Sequence, residues 1–164
     1  MAKFSEALRN SINDLGIKVD MNLFAVTFYG PATDISVAVP TLPSDVAIAG
    51  NTFRLATFTV NDTGTGLTWD ASVGGTISRA AAETASGTCI AAGYPRFFRI
   101  HLVSDTYGNA ADTSKYRIQG TLGKTLIDPS TGLYNDGILD TTFYPMILST
   151  VYPLGNIPLT LPLE

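Results

Sequence analysis

The sequence predicts a mainly β protein: an antiparallel β-sandwich of jelly-roll-like type, with one short N-terminal helix and an extended C-terminal arm. Short segments of alternating apolar and polar residues recur through the middle of the chain, clusters of Gly, Asn and Asp separate them, and only the first sixteen residues show helical spacing. At 164 residues the chain is long enough for one domain with a sizeable core. We expect the helix in residues 1–16, the sandwich in residues 17–140 and the arm in residues 141–164.

The N-terminal helix is predicted from an apolar stripe. Its apolar residues recur at helical spacing, at Phe4, Leu8, Ile12 and Leu15. Ser5 can cap the start, and Gly16 can end the helix in a left-handed turn. The opposite face carries the polar residues Glu6, Arg9, Asn13 and Asp14. Because three turns are marginal alone, we expect the apolar stripe to dock on the domain or on a neighbouring protein.

The strands follow in seven segments, which are MNLFAVTFYG, DISVAVP, NTFRLATFTV, LTWDASV, TCIAAGY, RFFRIHLVS and KYRIQGTLG. The cluster NDTGTG reads as a turn, and LIDPSTGLYNDGILD is the longest loop-like stretch. Alternation within FFRIHLV places Phe98, Ile100 and Leu102 on one face and Phe97, Arg99, His101 and Val103 on the other. This alternation predicts an antiparallel sheet with one packed face.

The C-terminal arm carries no charge from position 141 to position 163. That stretch is long enough to cross a bilayer, but prolines at 145, 153, 158 and 162 break any spanning helix, so no membrane partner is expected. Such an arm can add a strand to a neighbour's sheet, lie in a groove between neighbours, or lie against its own domain. Its candidate anchors at a partner interface are Tyr152, Leu154, Ile157, Leu159, Leu161 and Leu163.

The charge content restricts the classes of partner. Charged residues make up 15% of the chain, below the roughly 25% of a typical soluble domain, and Lys and Glu are the residues depleted at interfaces. This composition favours a surface that partner proteins cover. The net charge is −4, and the basic residues Arg96, Arg99, Lys115 and Arg117 are too sparse to form a nucleic-acid-binding stripe. No secretory signal is visible, so we expect synthesis in a cytoplasm.

No catalytic, cofactor-binding or metal site is predicted, and we expect a protein that is not an enzyme. His101 is the one histidine, no G-x-S-x-G motif accompanies it, and we expect it to face solvent or an interface. The single Cys89 excludes an internal disulfide and zinc spacing and is expected to be a small buried hydrophobe.

Two further patterns that could indicate a binding site are explained by ordinary structural roles. The residues Asp128, Ser130 and Asp136 faintly resemble a calcium loop but lack EF-hand spacing, and turn chemistry alone explains them. The aromatic residues Trp69, Tyr94, Phe97 and Phe98 could form a sugar platform, but filling the core is the expected role of large aromatics.

Several short motifs resemble those of small virion proteins of tailed bacteriophages. In those proteins a helix is followed along the chain by the motifs "IY-G-x-x-PA", "LA-x-L", "ATGTA-x-x-FRI" and "I-x-G-x-x-G". The matching positions are Tyr29, Gly30, Pro31 and Ala32; Leu55 and Ala56; Ala85, Ser86, Gly87 and Thr88; Phe98, Arg99 and Ile100; and Ile118, Gly120 and Gly123. The resemblance covers roughly residues 5–125 and departs from the pattern at the inserted IAAGYP and after Gly123.

The resemblance implies a structural protein located in the virion and carries no catalytic residues with it. We expect a capsid decoration or cement protein that binds the major capsid protein, or another virion protein, as a homo-oligomeric dimer or trimer. A tail, collar or connector component is the first alternative. A carbohydrate-binding module is the second, since a β-sandwich alone does not determine function.

Overall fold

A computed structural model describes residues 12–33, 53–105, 115–124, 139–141 and 145–160. The fold is mainly β, as the sequence predicts. One short helical stretch, α1, joins a π-helical segment Asn13–Ile17 to an α-helical turn Lys18–Asp20. The strands are β1 Phe24–Gly30, β2 Phe53–Val60, β3 Thr76–Ser78, β4 Ala85–Thr88, β5 Phe97–Leu102, β6 Arg117–Lys124, β7 Leu139–Thr141, β8 Val151–Pro153 and β9 Pro158–Thr160.

The strands form a large sheet and a small one. The large sheet has the order β7-β6-β5-β1-β2-β4-β8, and all its neighbours are antiparallel except the parallel pair β6–β7. Strands β3 and β9 pair separately. The predicted strand DISVAVP lies outside the described residues, and LTWDASV forms only single bridges at Leu67, Trp69 and Val73 instead of a strand.

The core lies on one face of the large sheet. Phe24, Val26 and Phe28 of β1 point to this face, in step with Phe58 on β2 and Phe98 and Ile100 on β5. Phe24 stacks on Trp69 with ring centroids 4.1 Å apart, and the Trp69 indole donates to the Met21 carbonyl at 3.1 Å. Ile77 of β3 belongs to the same cluster, so the small sheet packs over this face in a sandwich-like layout.

The other face of the large sheet carries a row of polar residues. Thr27 lies opposite Thr57 on one side and Arg99 on the other, and Arg99 lies opposite Gln119. Arg99 is 0% exposed, and its Nε and Nη2 atoms donate to Gln119 Oε1 at 3.1 and 2.7 Å. The prediction of one packed face is therefore wrong for the middle of the sheet. Strand β1 is buried along its whole length, and the polar side chain of Thr27 on its second face is hydrogen-bonded to Thr57 and His101.

The described end of the N-terminal helix differs from its prediction in two ways. The chain stays helical through Gly16 as far as Asp20, and Gly16 is not in the left-handed region. The docked side chain is Asn13, which donates to Ser72 Oγ and to the Gly75 carbonyl, whereas Leu15 is 74% exposed. Specific hydrogen bonds to the β3 region thus outweigh the apolar stripe in choosing the buried face. Residues 1–11 lie outside the described part.

The described C-terminal residues are extended but belong to their own domain. Strand β8 pairs with β4, β9 pairs with β3, and the Leu154 amide donates to the Ala85 carbonyl at 2.8 Å. The tail therefore lies against the sheet of the chain itself over residues 151–160. Tyr152 is buried between the exposed residues Val151 and Pro153, as expected for a strand that packs one face against its own domain.

Candidate functional site

The turn before β8 is held rigidly against the sheet. Met146 and Gly93 exchange two backbone hydrogen bonds, at 3.2 and 2.8 Å, and the Met146 side chain is buried. Ser149 donates its amide to the Cys89 carbonyl, and the Cys89 amide donates to the Thr150 carbonyl. The Ile147 amide donates to Tyr152 Oη at 2.7 Å. These bonds fix the direction in which the turn presents its side chains.

Ser149 shows that the turn is held in an unusual conformation. Its φ is 63°, in the left-handed region that residues with a Cβ adopt rarely. Strained backbone of this kind persists only where surrounding contacts determine it, and it concentrates at functional sites. The hydrogen bonds to Cys89 supply those contacts here.

This turn and its neighbours expose a group of large apolar side chains, Ile90, Ile147, Leu148 and Val151, which we call the edge patch. Each is between 49% and 63% exposed. Ile90 follows Cys89, which is bonded to the turn, and Val151 is opposite Thr88 on β4. The exposed surface of the four residues sums to on the order of 400 Å², the size at which a contiguous apolar patch commonly marks an interaction site.

The edge patch lies at the end of the sheet. Among the described strands, β8 is the last on that side, so one of its edges has no described neighbour. Proteins usually protect an exposed edge with charged side chains, but residues 145–160 contain none. Strand β8 is only three residues long and includes Pro153, which lacks an amide hydrogen. The site is therefore suited to packing side chains against a partner rather than to accepting an added strand.

The structure places four of the six interface anchors that the sequence predicts. Tyr152, Leu154 and Ile157 lie inside the chain's own core, and Leu159 packs against it half-buried. Leu161 and Leu163 lie outside the described residues. The residues exposed in and around this segment are instead Ile147, Leu148 and Val151, together with Ile90. Strand alternation around Tyr152 was the available signal, since it sends Val151 to the face opposite the core.

His101 is buried, so the expectation of a solvent-facing side chain is wrong. Its Nδ1 lies 2.9 Å from the Leu102 carbonyl and its Nε2 lies 2.9 Å from Thr27 Oγ1. Burial lowers the pKa of His101, an effect that the Leu102 hydrogen bond and the charge of Asp105 partly offset. Asp105 itself forms a two-point ion pair with Arg117 at 2.6 and 2.8 Å. The histidine therefore belongs to a buried hydrogen-bond network.

The other candidates from the sequence fall into structural roles where the chain is described. Trp69, Phe97 and Phe98 are buried and do not form a sugar platform. Cys89 is buried, and desolvation raises the pKa of its thiol, which disfavours the nucleophilic thiolate. The possible calcium loop at 128–136 lies outside the described residues. Over the described ranges, no group of three or more His, Cys, Asp and Glu side chains is placed to hold a metal ion.

No protein-family model, no curated protein and no solved structure matches this chain. The resemblance to phage virion proteins therefore rests on the short motifs alone. In the part of the chain that the structure describes, no helix is long and apolar enough to cross a membrane.

Proposed function

We propose that this protein is a structural component of a bacteriophage particle, a decoration or cement protein that attaches to the capsid shell through the edge patch. The observation that carries the proposal is a group of exposed apolar side chains at a sheet end, on a hydrogen-bonded turn within a segment that has no charged residue. The exposure of Ile147 and Leu148 to water does not stabilise a lone monomer. A partner surface that buries them gives the turn a role.

The size of the edge patch favours attachment at many points. Burying about 400 Å² of apolar surface contributes roughly 10 kcal/mol at 25 cal/mol per Å². Association costs about 4–15 kcal/mol in lost freedom, so one patch gives weak binding. A dimer or trimer, with two or three patches on a repeating shell, gains affinity from effective concentration. This is the reason to expect a homo-oligomer bound to the major capsid protein.

A tail, collar or connector component is the alternative within the same class, because a ring neighbour could cover the same patch. The low charge and the patch support both locations equally. The two locations differ in copy number, which is high on a head lattice and low in a tail or collar.

Quantitative mass spectrometry of purified phage particles tests the proposal. We expect a copy number equal to that of the major shell protein, or to a simple fraction of it. A few copies per particle would move the protein to the tail or collar. Its absence from particles would contradict the structural role.

A further inference from the structure

A second site lies on the polar face of the large sheet, and it borders the edge patch at Thr88, which is opposite Val151 and donates to Asp62. It is a cavity of about 360 Å³, whose lining includes Ala25, Thr57, Thr59, Asp62, His101 and Val103. Small-molecule sites in proteins begin at about this volume and combine apolar walls with a few placed polar groups. The function proposed above does not use this cavity.

At the floor of the cavity, the carbonyl of Leu102 determines which atoms donate and which accept in the chain of hydrogen bonds from His101 through Thr27 to Thr57. The Leu102 carbonyl can only accept, so His101 Nδ1 carries the hydrogen and, in the neutral ring, Nε2 is an acceptor. Thr27 therefore donates to Nε2 and must accept from the Thr57 hydroxyl, whose oxygen is 3.0 Å away. The hydroxyl hydrogen of Thr57 is committed to this chain. Thr57 can offer the cavity only its lone pairs.

The wall beside Thr57 is a turn that presents a carboxylate. Asn61 and Asp62 both have left-handed φ values, 50° and 59°, as a tight hairpin turn of the primed type requires. The Asp62 Oδ2 atom accepts a hydrogen bond from the Thr88 hydroxyl, which orients the side chain. Gly64, on the same turn, donates its amide to Thr59 Oγ1 at 3.0 Å. The Thr59 hydroxyl can still rotate its hydrogen, so it can donate to a ligand or accept from one and does not favour either kind of ligand.

The cavity therefore selects for a ligand that donates hydrogen bonds and carries positive charge. Asp62 and Thr57 are acceptors, none of the described lining residues is Lys or Arg, and burial keeps His101 neutral near pH 7. Ala25 and Val103 provide apolar surface. A calcium ion needs six to eight oxygen ligands, which one carboxylate and two hydroxyls do not supply. An organic cation fits this combination better than a metal ion.

We propose that this cavity binds a primary alkylammonium group, with its charge beside Asp62, an N–H donated to Thr57 Oγ1, and its methylene stem against Ala25 and Val103. The group can belong to a small free amine or to a lysine side chain of a neighbouring protein. The recognition chemistry is the same in both cases, and the test below separates the two sources.

Amide NMR titrations with three probes of matched shape test the proposal. The probes are n-butylammonium, 1-butanol and butyrate, at constant pH and ionic strength. We expect butylammonium to shift the amides of Thr57, Thr59, Asp62 and Gly64, 1-butanol to shift them more weakly, and butyrate to leave them unchanged. Equal or stronger binding of butyrate, or shifts located elsewhere, would overturn the proposal.

The variant Asp62→Asn isolates the charge, since Asn tolerates the left-handed turn and keeps an acceptor for Thr88. We expect its affinity for butylammonium to fall about two- to fivefold, the range of an exposed ion pair, and to approach its affinity for 1-butanol. The control Asp70→Asn removes an equal charge outside the cavity, where the Asp70 carboxylate accepts from the Ala81 amide, and should bind like the wild type. Unchanged binding by Asp62→Asn would refute the proposal.

A fourth probe, Nα-acetyl-lysine N-methylamide, distinguishes the sources. Binding at least as tight as that of butylammonium supports a lysine side chain of a protein, and weaker binding supports a small free amine. If neither amine binds, the cavity has no such function. This outcome would leave the edge patch and its proposed role untouched.

Discussion

Replacing Ile157 by Ala tests whether the C-terminal segment is part of the core. Ile157 is 1% exposed and belongs to the main apolar cluster. Its neighbourhood is closed, because the Arg79 amide donates to the Ile157 carbonyl and β9 pairs with β3 immediately afterwards. A cavity at such a site cannot collapse easily, so we expect Ile157→Ala to lower the free energy of unfolding by about 3 kcal/mol, inside the range of 2–5 kcal/mol for such changes.

Urea unfolding followed by the fluorescence of the single tryptophan measures this change. Trp69 is 3% exposed, so its emission should change on unfolding. The matched control is Val151→Ala, in the same segment but in the edge patch, where we expect a change within about 0.5 kcal/mol. An Ile157→Ala effect no larger than that of the control would show that the segment lies outside the core, and the reasoning would fail.

The packing of β8 and β9 also predicts the effect of removing the C-terminal segment. An independent arm could be removed after Thr142 without unfolding the domain. The structure predicts that this truncation abolishes folding, because it deletes β8, β9 and the buried residues Tyr152, Leu154 and Ile157. A truncated chain that keeps the tryptophan environment and cooperative unfolding of the full chain would contradict the observed packing.

Two further predictions concern the sheet. Burial lowers the pKa of His101 in the folded state, so the unfolded chain binds a proton at a higher pH than the folded chain does. The contribution of neutral His101 to the free energy of unfolding is therefore complete above about pH 6.5, and it is lost as the pH falls from there through the lowered folded-state pKa. Urea midpoints at a series of pH values should show this slope, and a His101→Asn variant with the same slope would exclude the histidine as its cause. Gly87→Ala should lower the free energy of unfolding by more than about 2 kcal/mol, because the added Cβ would lie 2.4 Å from the carbonyl oxygen of Thr57. The control Gly155→Ala places its Cβ where no atom lies within 4 Å, so it should change the free energy of unfolding by less than about 0.5 kcal/mol. Equal midpoints for the two glycine variants would contradict the close packing of β4 on β2.

Period-2 alternation predicted which residues of β5 share a face but did not predict what each face contacts. Phe98 and Ile100 reach the core as expected, and Arg99 and His101 fall on the other side as expected. That other side is nevertheless buried, because Thr27, Thr57 and Gln119 come from distant parts of the chain to satisfy it. A single sequence shows the polar residues but not their partners.

The sequence also did not predict which apolar residues are exposed in helix α1 and in the C-terminal segment, and the cause is similar in both. Helical spacing grouped Ile12 with Leu15, but the contacts of Asn13 with Ser72 and Gly75 leave both of these side chains exposed. In the C-terminal segment, hydrophobicity alone could not separate buried from exposed residues, since both are apolar. The strand pairing of β8 with β4 makes that separation, and it depends on residues more than sixty positions away.

The attachment of purified protein to particles that lack it tests the role of the edge patch most directly. Leu148→Asp places a charge in the patch without touching the core, and Leu15→Asp makes the same change on exposed helix α1 as a control. Both variants should fold like the wild type. We expect the wild type and Leu15→Asp to saturate the particles at a simple ratio to the shell protein, and Leu148→Asp to bind at a small fraction of that level. Full binding by a folded Leu148→Asp variant would show that the protein does not attach through this surface.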